Sequence, residues 1–386
     1  LGQGVGAGLA SWVGRYAAPD IGRYSAQQAQ RLYDLADQHG VRLTPAEATG
    51  LASQVAEQKR LAGIPQSANQ MKDFARERNQ EVVTAWDNFL NTIGPPRDAA
   101  RVGEAARTVA DDAVTAAQNQ RTAAVRPFYE QAEREIAHVN PGAAHQYIEQ
   151  EMPTAKGAIR KALEVAQREL RVNGAEASDA SFRGLDNAKK ALDAILENPD
   201  LAARQGIDRS AYAALNEVRQ RLIQAMDNAL GSQGSYQAGR QTYQTMSENV
   251  VEPLEQAVAP LRNINPERGN LVRAAGALFD PQTRSPSLVA AARTAFTTGP
   301  NAQPDVWNDM LRVFMQKEGA KALKVMSDGE TRNVAGGIAK AFDEATVNNL
   351  RAAMTPQQLQ TFTELMDVFR AAARAVDTNS DTAFKL

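Results

Sequence analysis

The sequence has no cysteine, few histidines and few aromatic residues. Its 386 residues include 3 His and no Cys, and aromatic residues make up 6%. Without cysteine there are no disulfide bonds, no thiolate metal ligands and no cysteine nucleophile. The histidines, His39, His138 and His145, lack the three- or four-residue spacing of two metal ligands on one helical face. We therefore expect no metal site and no cofactor.

Strand-forming residues are also scarce, and the residues in their place favour helices. Val and Ile rarely occur in runs, whereas Ala, Gln, Arg and Glu are frequent. The chain has 43 Lys and Arg residues against 45 Asp and Glu residues, a formal net charge of -2. It therefore lacks the broad positive field of proteins that coat DNA. Composition predicts an all-α protein of more than one domain.

Recognisable catalytic and nucleotide-binding motifs are missing as well. There is no G-x-S-x-G sequence, and the glycines of residues 2–8 lack the Gly-Lys-Ser/Thr ending of a phosphate-binding loop. Paired carboxylates such as Asp111 and Asp112 fall in amphipathic helical patterns, where they are typical of solvated faces. Cleavage of peptidoglycan would require a partly buried glutamate in a cleft, and the sequence nominates none. We expect no enzymatic activity, with a hidden muralytic site as the alternative.

Residues 1–24 form an apolar, glycine-rich leader that differs from the rest of the chain. Glycines at small-xxx-small spacing are followed by two aromatic residues one turn apart: Gly2, Gly4, Gly6, Gly8, Trp12 and Tyr16. In lipid, such glycines permit close helix approach, and Trp and Tyr favour the headgroup level. Glycine-rich stretches are also typical of flexible linkers. The leader is thus either a flexible segment or a membrane or subunit contact made by these six residues.

Helix-start signals and one break predict the remaining organisation. Thr44-Pro45-Ala46-Glu47 and Thr355-Pro356-Gln357-Gln358 each have the sequence of a capping box with proline at the first helical position. A boundary is expected at about 260–268, where Pro, Asn and Gly cluster. The predicted parts after the leader are an N-terminal helical region at 25–95, a long-helix bundle at 96–260 and a C-terminal helical domain at 261–386.

Apolar residues in the middle of the chain recur at alternating spacings of three and four. One series is Tyr236, Tyr243, Met246 and Val250, and the other series supply the predicted bundle core: Leu163, Leu185, Leu192, Leu215, Val218 and Leu222. This spacing is typical of the seam of a left-handed bundle or coiled coil. Alanine fills many seam positions, which predicts close helix approach and favours association between copies.

A similar stripe marks the last predicted helix. It consists of Leu359, Phe362, Met366 and Phe369, which we expect to anchor the C-terminal domain. Together with the seams, this stripe predicts the fold class. We expect an elongated multi-helix bundle with coiled-coil-like seams plus a smaller C-terminal helical domain.

Several consecutive segments resemble one protein family. Between about residues 124 and 260 the chain contains, in this order, AAVRPFYEQAEREI, SFRGLDNAKKALDAILENP, AYAALNEVRQRLIQAMDNAL and SYQAGRQTYQTMSENVVEPLEQA. These segments, with AAGALFDPQTRSPSLVAAARTAF and the final NSDTAFKL, resemble the internal virion or DNA-ejection proteins of podovirus-type tailed phages. The resemblance covers roughly residues 120–386. Its motifs are Tyr, Leu and Ala at packing positions, so it carries over no catalytic residue.

The resemblance implies a structural role. Such a protein is stored in the capsid near the portal, is ejected at infection, and assembles into an oligomeric conduit for the genome across the host envelope or periplasm. The implied partners are further copies of the chain, other ejection proteins, portal or tail proteins, double-stranded DNA passing without sequence readout, and the host membrane. A near-neutral wall suits such passage because a basic lumen would retain the phosphates. The alternative is a capsid-internal, scaffolding or tail-assembly protein that is not ejected.

Overall fold

The chain is helical almost throughout the part that the computed structural model describes, which is residues 26–136, 138–175, 180–231, 234–264, 271–299, 301–324 and 333–374. The prediction of an all-α, multi-helix fold is confirmed. The first nine helices are α1 (Ala26–Gln38), α2 (Pro45–Thr49), α3 (Ala52–Ala62), α4 (Pro65–Ile93), α5 (Ala99–Glu135), α6 (Gly142–Glu151), α7 (Gly157–Val172), α8 (Phe182–Glu197) and α9 (Pro199–Arg204). The later helices are α10 (Tyr212–Leu230), α11 (Ser235–Met246), α12 (Glu252–Arg262), α13 (Leu271–Phe279), α14 (Pro286–Thr298), α15 (Pro304–Lys324), α16 (Val334–Ala341), α17 (Glu344–Ala353) and α18 (Pro356–Ala373).

A 3-10 turn, a π-helical turn and two short strands complete the described chain. A 3-10 turn at Arg209–Ala211 precedes α10, and a π-helical turn at Ser247–Val251 joins α11 to α12. Strands β1 (His138–Val139) and β2 (Ala180–Ser181) pair antiparallel. This ribbon joins the chain before α6 to the chain before α8.

Both predicted capping boxes are confirmed. At the start of α2, Oγ1 of Thr44 accepts a hydrogen bond from the backbone N–H of Glu47 at 3.3 Å. The Glu47 carboxylate accepts in return from the backbone N–H of Thr44 at 2.9 Å. At the start of α18, Thr355 and Gln358 make the same two bonds at 3.2 and 3.0 Å. Each box satisfies two N–H groups that have no acceptor within the helix.

The chain divides into two compact units. Unit 1 comprises Leu1–Val114 and Pro253–Leu386, and unit 2 comprises Thr115–Glu252. The predicted boundaries were instead 95/96 and 260/261. The difference arises because the chain leaves unit 1 within helix α5 and returns to it at the start of α12, where no proline- or glycine-rich loop marks the change.

Unit 1 has one hydrophobic core, to which described residues of both its chain segments contribute. The ring of Trp86 on α4 lies 5.6 Å from that of Phe89 and 5.4 Å from that of Phe342. The ring of Phe89 lies 5.8 Å from that of Phe362 on α18. Aromatic rings at these separations stabilise beyond the area they bury. The region predicted as a separate C-terminal domain therefore shares its core with the N-terminal helices.

Unit 2 has a core of its own, formed by α6, α7, α8, α10 and the start of α11. Alanine occupies several fully buried positions, among them Ala162, Ala166 and Ala188. These small side chains allow helix backbones to approach closely, and leucines fill the remaining space. The Ala and Leu residues at the seam positions thus form a closely packed interior.

The apolar spacing changes register at the π-helical turn. The predicted seam continued to Val250, but Val250 is 37% exposed and its neighbour Val251 is 2% exposed. A π turn holds more residues than an α turn, so the side chain that faces inward shifts along the sequence. The prediction that Val250 belongs to the seam was wrong for this reason. Tyr243 of the same series is also 41% exposed, although it precedes the turn, and its ring lies against the guanidinium of Arg121.

Candidate functional site

The predicted core residues lie in two different cores. In unit 2 the side chains of six of them are fully buried: Leu163, Leu185, Leu192, Leu215, Val218 and Leu222. In unit 1, Phe362, Met366 and Phe369 are buried, while Leu359 is half-buried at the edge of the core. The glycines and aromatics of the leader, Gly2, Gly4, Gly6, Gly8, Trp12 and Tyr16, lie outside the described residues.

Seam residues that are buried within one chain are not available for contacts with a second copy. A leucine such as Leu222 with no exposed surface cannot contact a second copy unless unit 2 opens. The exposed apolar side chains are elsewhere: in unit 2 they include Ile159, Val172, Tyr243 and Val250. Val172 at the end of α7 is 72% exposed. Any contact between copies that uses apolar area must begin with residues of this kind.

A cluster of aromatic and charged side chains lies on one side of the unit 2 core. The ring of Tyr236 on α11 meets those of Tyr129 and Phe182 edge to face, with centroids 5.5 and 5.3 Å apart. The Lys190 ammonium lies 5.1 Å from the centroid of the Tyr129 ring and pairs with Asp186 Oδ2 at 2.6 Å. The ring contacts and the contact of Lys190 with the Tyr129 ring join α5, α8 and α11, whereas the ion pair lies within α8.

Burial shifts the protonation equilibria of this cluster. Removal from water raises the pKa of Asp186, and the Lys190 ammonium opposes that rise. Burial also raises the pKa of Tyr236 and of Tyr129, and the nearby Asp186 carboxylate raises both further. The Tyr236 hydroxyl and Asp186 Oδ1 are buried with no hydrogen-bond partner among the described residues. These groups therefore lie in a packed interior, in which the hydroxyl groups of both tyrosines remain protonated.

A glycine permits the close approach of α11 to α5. A Cβ atom at Gly239 would lie 3.0 Å from Cβ of Phe128 and 3.1 Å from Cε2 of Tyr129. Beside it, the Arg240 guanidinium pairs with Asp227 and lies 5.0 Å from the centroid of the Tyr236 ring. Gly239 thus sets the distance at which the aromatic cluster forms.

The π-helical turn has a specific contact to α5. Arg121 donates a hydrogen bond to Oγ of Ser247 at 2.8 Å, and its guanidinium carbon lies 4.2 Å from the centroid of the Tyr243 ring. Ser247 in turn donates to the backbone carbonyl of Tyr243 at 2.8 Å. Isolated π turns occur often at functional positions. Tyr243 (41% exposed), which precedes the turn, and Val250 within the turn both lie at the surface of unit 2.

Unit 1 contains a buried carboxylate that sequence analysis did not nominate. Glu47 has no exposed surface, and its Oε1 pairs with the guanidinium of Arg78 on α4, which is 3% exposed. Burial raises the pKa of Glu47, and the charge of Arg78 opposes that rise. Burial and the Glu47 carboxylate raise the pKa of Tyr33 to about 12. Both carboxylate oxygens are engaged, so the geometry is that of a clamp between α2 and α4.

Within the described ranges, no three His, Asp or Glu side chains come together as metal ligands would. Nor does any helix within those ranges combine the length and the apolar character that crossing a membrane requires. Comparison of the chain with protein-family models, with curated proteins and with solved structures found no match.

Proposed function

We propose that this chain is a structural protein of a tailed-phage virion that is ejected at infection and assembles into an oligomeric conduit for the genome across the host envelope. One observation carries the proposal. The four segments between about 124 and 260 that resemble phage DNA-ejection proteins fall largely within unit 2, Thr115–Glu252. The residues that carry the resemblance therefore belong largely to one folded unit with its own core, and not to scattered helices.

The construction of unit 2 suits a protein that must leave the capsid through a narrow opening. Passage through such an opening requires partial unfolding, and delivery requires refolding on the far side. Unit 2 is one uninterrupted stretch of chain, and within it α10 packs on α6, α7 and α8. A unit whose core is formed by one continuous stretch of chain has the residues it needs to refold on its own. The protein would be stored near the portal and then act in the envelope or periplasm.

Assembly of copies would use exposed apolar side chains rather than the seams. In the proposed conduit, Val172 and Tyr243 lose water contact between neighbouring copies, which adds the burial that drives association. Other ejection proteins, portal or tail proteins and the host membrane are the proposed further partners. Double-stranded DNA would pass without sequence readout along a wall of nearly balanced charge.

Light scattering behind size exclusion, with and without vesicles of phosphatidylethanolamine and phosphatidylglycerol, tests the proposal. We expect a discrete oligomer of the 41.7 kDa chain that forms or grows when vesicles are present. Val172→Ser should weaken it, whereas Gln167→Ser, an exposed polar change on the same helix, should leave it unchanged. A monomer under both conditions contradicts the conduit.

A second candidate function is that of a capsid-internal, scaffolding or tail-assembly protein that is not ejected. The observation in its favour is that the six predicted core residues of unit 2 are fully buried within one chain, so they need no second copy. This candidate predicts a monomer that ignores vesicles and remains with the particle or leaves it before infection. Immunodetection of the chain in host envelope fractions after infection separates the two candidates.

A further inference from the structure

Unit 2 is inserted into the sequence of unit 1, and the chain enters and leaves it at neighbouring points. The chain passes from unit 1 to unit 2 within α5 and returns at the start of α12. On the unit 1 side of these two crossings, Nε of Arg262 on α12 donates a hydrogen bond to Oδ1 of Asp111 on α5 at 2.8 Å. On the unit 2 side, Arg121 on α5 donates to Oγ of Ser247 in the π-helical turn at 2.8 Å. The two crossings therefore lie side by side, at the distance of packed helices, about 8–10 Å between their axes.

The same pairing of helices continues inside unit 2. Further along α5, Phe128 lies against Gly239 of α11, and the Ser235 hydroxyl donates a hydrogen bond to Oε2 of Glu135 at 2.8 Å. The residue numbers of the partners fall as those on α5 rise, so the first and last helical segments of unit 2 form an antiparallel pair. The two ends of unit 2 are thus held together by contacts within unit 2 itself.

The crossings do not oblige the two units to unfold together. Among the described residues, no side chain belongs to both hydrophobic cores. A helix shortens from its end by one hydrogen bond per residue, so α5 can end at Val114, a residue of the unit 1 core, when unit 2 opens. At the other crossing, the π-helical turn and Pro253 already interrupt the α-helical hydrogen bonds, since proline has no N–H.

Unit 1, by contrast, depends on unit 2 to bring its own two segments together. While unit 2 is unfolded, a loop of about 140 residues separates Val114 from Pro253, and its ends meet about fiftyfold less often than those of a ten-residue loop. Folding of unit 2 joins these ends through its own antiparallel helix pair. We propose that unit 2 is an autonomous folding unit that forms first and that its folding closes the chain for the assembly of unit 1. This order of folding does not depend on the ejection role proposed above.

Hydrogen exchange of the full chain, resolved by peptide with mass spectrometry, tests the autonomy of unit 2. Leu222→Ala leaves a cavity in the unit 2 core and Phe369→Ala leaves one in the unit 1 core, because neither side chain has exposed surface. Each change should lower the protection of the slowest amides in its own unit by roughly thirtyfold or more. It should leave the amides of the other unit within about threefold of the wild type. Gln224→Ala, an exposed change on α10, is the matched control and should alter neither unit.

Refolding kinetics of the full chain test the order of folding. The tryptophans of the sequence, Trp12, Trp86 and Trp307, all fall in the two segments of unit 1, so tryptophan fluorescence follows unit 1 alone. After dilution from urea, amides of unit 2 labelled by a pulse of exchange should become protected before the tryptophan fluorescence reaches its native value.

Two results would overturn the proposal. The first is an equal loss of protection in both units from either core variant, which would mean that the chain opens as one cooperative unit. The second is a tryptophan signal that reaches its native value before the unit 2 amides are protected, or at the same rate. Where circular dichroism shows that an alanine variant is unfolded, Leu222→Val or Phe369→Leu, which removes less of the same core, takes its place in the exchange measurement.

Discussion

Glu47 and Arg78 lie 31 residues apart in the sequence and form an ion pair that is almost fully removed from water. Glu47 also completes the capping box of α2 through its second oxygen, which accepts from the backbone N–H of Thr44. Tyr33 and the guanidinium of Arg374 approach the same residue, the latter at its backbone carbonyl. One side chain therefore links the start of α2 to α4 and lies at the meeting point of four helices.

Removal of Arg78 should destabilise unit 1 strongly. Arg78→Met leaves the Glu47 carboxylate buried without its counter-charge, a change that costs about 3–5 kcal/mol in comparable sites. Urea unfolding at pH 7.5 measures the loss. Arg76→Met on the same helix is the control, because Arg76 is exposed and its ion pair among the described residues is with Asp73, one turn away. That change should stay within about 0.5 kcal/mol, and equal losses in the two variants would contradict the clamp.

The destabilisation caused by Arg78→Met should depend on pH. Burial raises the pKa of Glu47, so the folded chain binds this proton more tightly than the unfolded chain. The stability that this group contributes is complete below its unfolded pKa and is lost as pH rises through its folded pKa. Without Arg78 the folded pKa rises further, so the loss should be largest at pH 7.5 and shrink towards pH 5. The double variant Glu47→Gln/Arg78→Met should lack this dependence in the same unfolding series.

Replacement of glycine by alanine should destabilise the protein at one helical position and stabilise it at another. A Cβ at Gly319 on α15 would lie 2.6 Å from Nε1 of Trp86, a buried ring that cannot move aside. Overpacking of this kind lowers the free energy of unfolding by about 1–3 kcal/mol. This loss outweighs the roughly 1 kcal/mol by which alanine stabilises a helix relative to glycine. A Cβ at Gly103 on α5 would meet Ile264 at 3.5 Å, an ordinary contact. In thermal unfolding, Gly319→Ala should lower the midpoint and Gly103→Ala should raise it.

The features that could be predicted from the sequence are those encoded by neighbours along the chain. The capping boxes at Thr44 and Thr355 consist of residues three apart, so their bonds follow from local geometry. The alternating spacing of Leu215, Val218 and Leu222 indicates which side of α10 faces the core. These signals are sufficient for the fold class and for much of the unit 2 core.

The features that could not be predicted depend on residues far apart in the sequence. No local pattern relates Glu47 to Arg78, since the pair exists only once α2 packs on α4. The unit boundary within α5 has no turn signal, because the helix continues through it. The π turn moved burial from Val250 to Val251, and apolar spacing alone does not reveal such a turn.

The hydroxyl of Tyr236 offers a test of the aromatic cluster. It is buried with no hydrogen-bond partner among the described residues, so its burial is unfavourable while its ring packs well. Tyr236→Phe should leave stability unchanged or raise it, because the ring contacts remain and the buried hydroxyl is removed. Tyr236→Ala should cost about 3–5 kcal/mol through the loss of the ring. Urea unfolding compares the two, and a clear loss in Tyr236→Phe would reveal a partner for the hydroxyl.

Replacement of a fully buried leucine of the predicted core should lower the free energy of unfolding more than replacement of a half-buried one. Leu222 on α10 has no exposed surface, so Leu222→Ala leaves a cavity and should cost about 2–5 kcal/mol. Leu359 on α18 is only half-buried beside the unit 1 core, so water can occupy the space left by Leu359→Ala and the cost should stay below that of Leu222→Ala. Unfolding in urea, followed by circular dichroism, measures both. Because the two leucines belong to different units, equal losses would mean that exposure does not govern either site.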